Sequence, residues 1–261
     1  MSMMQLNFPV LILFYCLLCG FSCQSGNAEI AKPAALSAAI RDSLPNPIVD
    51  EPYLLGKFDP ATHPDFVIVG KPYTDKPGMM LRKESFAAFQ KMYEAAKKEG
   101  VTLKIISSTR TFTQQKQIWN GKWTRFAKEA PDPVERALKI LEYSAMPGAS
   151  RHHWGTDIDL NDLNNPSFEK KGKHATAYEW LRAHAREYGY CQPYTAKDAQ
   201  RPEGYNEERW HWSYTPLSKP MLAQYLKLIS DQQFDGFEGS ETALKIKVVE
   251  KYAAGINQDC K

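Results

Sequence analysis

Ser150-Arg151-His152-His153-Trp154-Gly155-Thr156-Asp157-Ile158-Asp159 is the stretch from which the rest of the chain can be read. Two imidazoles stand just before a glycine, and two carboxylates follow at alternate positions of a short run, 156–160, with strand character. A turn that feeds a strand lets side chains from both converge on one point, and the two-residue period of a strand puts Asp157 and Asp159 on the same face. Zinc in a hydrolase takes three protein ligands of this kind and leaves a fourth position to water. Further along, Glu208-Arg209-Trp210-His211 adds an imidazole with a carboxylate three residues before it. The other histidines are blander: His174 and His184 lie in a charge-rich helical region, and His63 sits in the turn Ala61-Thr62-His63-Pro64. On spacing alone two readings stand, a metal site and a set of surface histidines beside a turn.

Around this stretch the periodicities predict an α+β domain, a small and mainly antiparallel sheet flanked by helices. Residues 66–69, 101–107, 156–160 and 210–214 read as strands. Helices are expected over 83–99, where Phe86, Phe89, Tyr93 and Ala96 share one stripe that stops at Gly100, and over 113–127, 133–145 and 175–188, the last stopping near Gly189. Two closing helices are expected over 217–232 and 241–254. Neither a steady βαβ rhythm nor an internal repeat is present. Residues 24–65, rich in alanine and then in proline, read as a tether and N-terminal lead-in to a domain covering 66–261.

The chain has 261 residues, with 33 basic and 30 acidic side chains and a net charge of +3, and no charged side chain precedes Glu29. So slight an excess, clustered only at Lys170-Lys171-Lys173, gives no support to nucleic-acid binding. Phe8 to Cys19 is an unbroken apolar run apart from Pro9. It is too short for a spanning helix, which needs about 20 residues, and suits the apolar core of a secretory signal, although a basic segment before it is missing. Gly20-Phe21-Ser22-Cys23 loosely resembles the lipobox of bacterial lipoproteins. Residues 1–23 are therefore expected to be a lipoprotein-type signal, Cys23 a lipid anchor, and the mature protein exported to the periplasm or cell envelope. Of the five cysteines only Cys191 and Cys260 then remain in the folded part. In an oxidising compartment they suggest one disulfide, worth roughly 4 kcal/mol by chain entropy. A monomer is expected.

Three motifs in order carry a family resemblance: Ser108-Thr109-Arg110-Thr111-Phe112-Thr113-Gln114-Gln115, then Ser-x-His-x-x-Gly-x-x-x-Asp at 150–159, then Glu-x-Trp-His at 208–211. Together they resemble the VanY-type D-alanyl-D-alanine carboxypeptidases, zinc peptidases of bacterial cell-wall peptides with the hedgehog/DD-peptidase fold. The resemblance implies zinc as cofactor, His152, Asp159 and His211 as its ligands, and Glu208 as general base. It also implies that Arg110 holds the free C-terminal carboxylate of the substrate, a peptidoglycan stem peptide. Gln115, Ser150 and Trp210 are expected beside that peptide, and Trp154 and Trp212 around the site. Asp157 stands where the family often has Ala and is expected to support a ligand rather than to be one. Glu208 fits only if the last strand begins after it. Three neighbouring chemistries remain open: an L,D-carboxypeptidase, an L-alanyl-D-glutamate endopeptidase, and a zinc-stabilised binding module of the hedgehog kind.

Overall fold

Short apolar runs punctuated by glycine and proline cannot make long strands, and the strands among the described residues are two to four residues long. A computed structural model describes residues 49–261. The expected signal, the lipidation site at Cys23 and most of the lead-in lie outside the described residues. Strand β1 (Phe66–Ile68) pairs antiparallel with β2 (Met80–Arg82). Strands β3 (Ile105–Ser107), β4 (Asp157–Leu160), β5 (Tyr190–Cys191) and β6 (His211–Tyr214) form the main sheet in the order β3-β4-β6-β5, antiparallel throughout. With the flanking helices this is the expected α+β architecture. Strands β2 and β5 carry no alternation of their own and escaped the sequence reading. The expected strand over 101–107 is real only at its end.

Register places the chemistry. Asp157 pairs with Ser213, Ile158 with Trp212 and Asp159 with His211. Asp157, Asp159, His211 and Ser213 therefore share one face, while Ile158, Leu160, Trp212 and Tyr214 lie on the other and join the hydrophobic core. Trp212 is thus turned away from the site. Trp154 is also a core residue, its indole N–H donating to the Leu54 carbonyl. Of the three tryptophans expected around the site, Trp210 reaches it.

Among the described residues the α-helices are α1 (Glu51–Leu54), α2 (Lys83–Lys98), α3 (Phe112–Phe126), α4 (Pro133–Ile140), α5 (Ala175–His184), α6 (Thr215–Leu228) and α7 (Ala243–Ile246). Helix α2 buries Phe89, Met92 and Ala96, with Phe86 and Tyr93 packed at the edge of the same stripe. Helix α3 is started by Thr111, which accepts from the Gln114 N–H while the Gln114 side chain accepts from the Thr111 N–H. Asp132 caps α4, and Pro133 opens it. This helix stops at Ile140, not at 145. Residues 143–145 are drawn instead into the wall of a cavity, with the Ala145 carbonyl taken by the Gln115 side chain. The helix expected over 241–254 is broken as well. Lys247 adopts φ 60°, and Asp231 Oδ1 accepts from the Val249 N–H at the break, so tertiary bonding overrides local periodicity. A 69-residue separation is closed by the Cys191–Cys260 disulfide, Cα–Cα 5.7 Å, which fastens the C-terminus to β5. Residues 53–55, within the expected lead-in, are buried in the core.

Candidate metal centre and groove

Gly155 joins the turn Arg151–Trp154 to β4 with φ 74°, a left-handed conformation that suits glycine, and a Cβ there would lie 2.5 Å from the Phe66 ring. That turn brings His152 over the sheet face carrying Asp159 and His211. One ligand atom from each of these three lies within 4.8 Å of the others, and all three residues are buried. The protonation pattern follows from the partners. His152 Nδ1 is 2.8 Å from the Ser108 carbonyl, which can only accept, so Nδ1 carries the proton and Nε2 a lone pair. That Nε2 lies 3.4 Å from Asp159 Oδ2 and has no hydrogen-bond partner. Burial, and then the Arg110 charge, hold the His152 pKa below its ordinary value, so the ring is neutral and two acceptors face each other with no proton between them. A cation resolves that arrangement.

His211 is arranged in the opposite sense. Its Nε2 is 2.8 Å from Asp157 Oδ2, and its Nδ1 faces Asp159 Oδ1 at 3.2 Å and Glu208 Oε2 at 3.3 Å. Burial lowers its pKa, but the three carboxylates outweigh burial and hold it well above the ordinary value, so a positive charge is favoured at this point. Asp157 itself is fully buried. It accepts from Arg151 Nε at 3.0 Å and from the Thr156 and Ser213 hydroxyls at 2.7 Å each. Burial raises its pKa, Arg151 and His211 lower it further, and the net shift is downward. The sequence left Asp157 as a ligand's support, and the side chain is bonded to the outer nitrogen of His211.

Glu208 lies before β6, which begins at His211, as its use requires. Its loop is tied down at several points: the Glu208 N–H donates to the Tyr194 carbonyl, the Gln192 side chain donates to the Glu208 carbonyl, and Asn165 bonds the main chain on both sides, at Glu207 O and Arg209 N. Burial raises the carboxyl pKa above the ordinary range, with His211 opposing.

Arg110 lies in the loop between β3 and α3. Its carbonyl accepts from His153 Nδ1 at 2.7 Å, while His153 Nε2 accepts from the Gly148 N–H at 3.0 Å. His153, which the sequence left evenly between a supporting role near the site and none, is therefore a strut. Burial pushes its pKa down to about 3, so the ring stays neutral, and it leans so closely on Gly56 that a Cβ there would lie 2.4 Å from it. Arg110 Nε is buried and has no hydrogen-bond partner.

Two cavities meet at Arg110, His152 and Glu208. The smaller, about 30 Å³, is polar and also lined by Gln115, Ser150, Tyr194 and Tyr205. Gln115 Oε1 and the Tyr205 hydroxyl are left without partners there. Ser150 makes no capping hydrogen bond to the turn that follows it. The larger, about 500 Å³, adds Ile118, Lys122, Leu163, Asn165 and Trp210. Tyr143 and Ser144 border both. Neither Lys122 nor Tyr143 was visible as a site residue in the sequence, since nothing local distinguishes them from surface positions on α3 and after α4.

A family profile described as VanY, D-alanyl-D-alanine carboxypeptidase, matches residues 78–217, more than half of the chain and all three motifs. The chain belongs to this family. It is 27% identical over 193 residues to YodJ of Bacillus subtilis (strain 168), which bears a carboxypeptidase name; the match covers 72% of this chain and 66% of that one. It is 26% identical over 131 residues to a D-alanyl-D-alanine carboxypeptidase of Enterococcus faecalis (strain ATCC 700802 / V583), covering 49% and 46%. The chain thus matches less than two thirds of the length of these relatives. A solved structure of the LdcB LD-carboxypeptidase superposes with TM-score 0.49 at 27% identity, over 66% of this chain and 77% of that one.

Proposed function

We propose that this VanY-family protein is a zinc-dependent carboxypeptidase of the cell envelope that removes the terminal D-Ala from peptidoglycan stem peptides ending in D-Ala-D-Ala. The observation that carries the reading is the convergence of His152 Nε2, Asp159 and His211 Nδ1 beside Glu208, with two acceptors facing each other and no proton between them. Those three residues would hold the zinc. When bound, it supplies a Lewis acid for the peptide carbonyl and acidifies water.

The chain's own residues account for the rest. Glu208, its basicity raised by burial, takes a proton from the attacking water and delivers it to the amine of the departing D-Ala. Arg110 binds the free carboxylate with a bidentate guanidinium and so sets the last peptide bond at the junction of the two cavities. The small polar cavity, with Gln115 Oε1 and Ser150 on its wall, has room for little more than a water molecule and offers polar groups to the departing residue at its mouth. The larger groove, floored in part by Trp210, suits the acyl side of the peptide. Asp157 keeps Nδ1 of His211 turned to the metal by holding the proton on Nε2. An apolar leader at the N-terminus delivers the enzyme to its substrate, with Cys23 as a lipid anchor and the enzyme acting as a monomer.

Digestion of purified muropeptides, followed by mass spectrometry with and without a chelator, tests this. The expected product has lost one alanine, and only without the chelator. Loss of a larger fragment would replace the assignment by an endopeptidase, loss of alanine only from tetrapeptides by an L,D-carboxypeptidase, and no change by a binding module.

A further inference from the structure

Among the described residues three cations line the cavities: Arg151 is already paired with the buried Asp157, and one terminal carboxylate accounts for one of the other two. Arg110 borders both the small cavity and the large groove. Lys122 borders the groove alone. It projects from α3, one turn beyond Ile118, and its ammonium donates to the Ser144 hydroxyl. Among the described residues no carboxylate lies within ion-pair distance of it; Ser144 is its hydrogen-bond partner. Its site is costly for a bare charge: burial first, then Arg125, push its pKa below the ordinary value, with Glu208 opposing and Arg110 adding to the lowering. A lysine kept half-buried, without an acid partner and with a hydroxyl orienting it, is what an anionic ligand group would need. The same groove is lined by Ile118, Leu163 and Trp210, apolar surface for an aliphatic stem, beside the polar Asn164 and Asn165.

We infer that Lys122 and Ser144 form a carboxylate subsite in the large groove, selecting peptides in which the residue before D-Ala-D-Ala carries an aliphatic side chain ending in a carboxylate. This deepens the proposed function and rests on its assignment of the groove to the acyl side. The substrate is then doubly anionic near its end, with Arg110 taking the terminal carboxylate and Lys122 the side-chain carboxylate.

Binding separates this inference from the chemistry. In the zinc-loaded Glu208→Gln variant, two matched peptides ending in D-Ala-D-Ala, with glutamate or glutamine before the dipeptide, are compared by calorimetry at low ionic strength. A charge-assisted hydrogen bond in a partly exposed groove should favour the glutamate peptide by about tenfold. Adding Lys122→Met should bring the two affinities together, and Lys122→Arg should retain the preference. Equal affinities before the lysine is changed, or an undiminished ratio after Lys122→Met, would overturn the subsite. Mass spectrometry of the same peptides with the unmodified enzyme tests the proposed reaction on its own. If neither loses alanine while the binding preference holds, the cleavage assignment falls and the subsite stands.

Discussion

Replacing Asp157 by Ala should be among the most damaging single changes in the protein, although the residue is not expected to touch metal or substrate. The carboxylate is fully buried and accepts four hydrogen bonds, from Arg151 Nε, His211 Nε2, Thr156 Oγ1 and Ser213 Oγ. Arg151 is equally buried, with its other contacts at Ser213 Oγ and over the Trp154 ring. Deleting the carboxylate strands that guanidinium without a counter-charge, which costs about 3–5 kcal/mol in buried pairs. For a domain of this size each kcal/mol moves the melting temperature by about 2–4 °C, so a fall of roughly 6–20 °C is expected in metal-free protein. Circular dichroism melts measure it. The double variant Asp157→Ala/Arg151→Met should recover much of the loss, because no orphaned charge remains. In zinc-loaded protein the single variant should also bind metal about 10–100-fold more weakly, as chelator competition would show. Acid melts give a second check. The native pKa of Asp157 is depressed below its unfolded value of about 3.9, so its stabilisation is complete above that range and is lost as pH falls through it toward the native pKa. The Asp157→Asn variant should therefore lose less stability than the unmodified protein between about pH 4 and pH 2. A melting temperature of Asp157→Ala within about 2 °C of the unmodified protein would refute the account of the buried pair.

Glu208→Gln should keep fold and zinc content while lowering kcat by at least about 100-fold, the scale of general acid-base catalysis; a variant with most of its activity would remove Glu208 from its role. Arg110→Ala should reduce kcat/KM for peptides with a free C-terminal carboxylate far more than for their amides, and equal losses would argue against a carboxylate clamp. Gly56→Ala drives a Cβ into the His153 ring at a positive φ, so it should destabilise the fold and raise KM through displacement of the Arg110 loop, read by melts and steady-state kinetics. Cys191→Ser should cost roughly 4 kcal/mol by chain entropy, measured as a shift in denaturant midpoint, and a negligible shift would show that the tail is held without the bridge.

The candidate triad was legible because its residues are close to one another in the chain or in register: His152 and Asp159 flank a glycine turn, and His211 stands opposite Asp159 on the neighbouring strand. Glu208 needed the strand to start after it, which the motif register anticipated and the hydrogen bonds of Asn165 and Gln192 enforce. His153, Arg151 and Lys122 were different. A buried neutral strut, a buried ion-pair partner and an unpaired groove cation have no local signature, because what distinguishes them is the distant group they meet or fail to meet.

By itself, the sequence determined the period-2 face of β4, the glycine that frees its entry, the helical stripes and the motif order that marks the family. Those are properties of neighbours along the chain. Tertiary structure decided where α4 stops and where the last helix breaks, which nitrogen of each histidine is left open, and which of the two aspartates faces His152. Each of these depends on hydrogen bonds between residues tens of positions apart, such as His152 with Ser108 and His211 with Asp157. A burial pattern cannot specify such pairs, since a buried polar atom fixes only that it must find a partner, and the fold fixes which one.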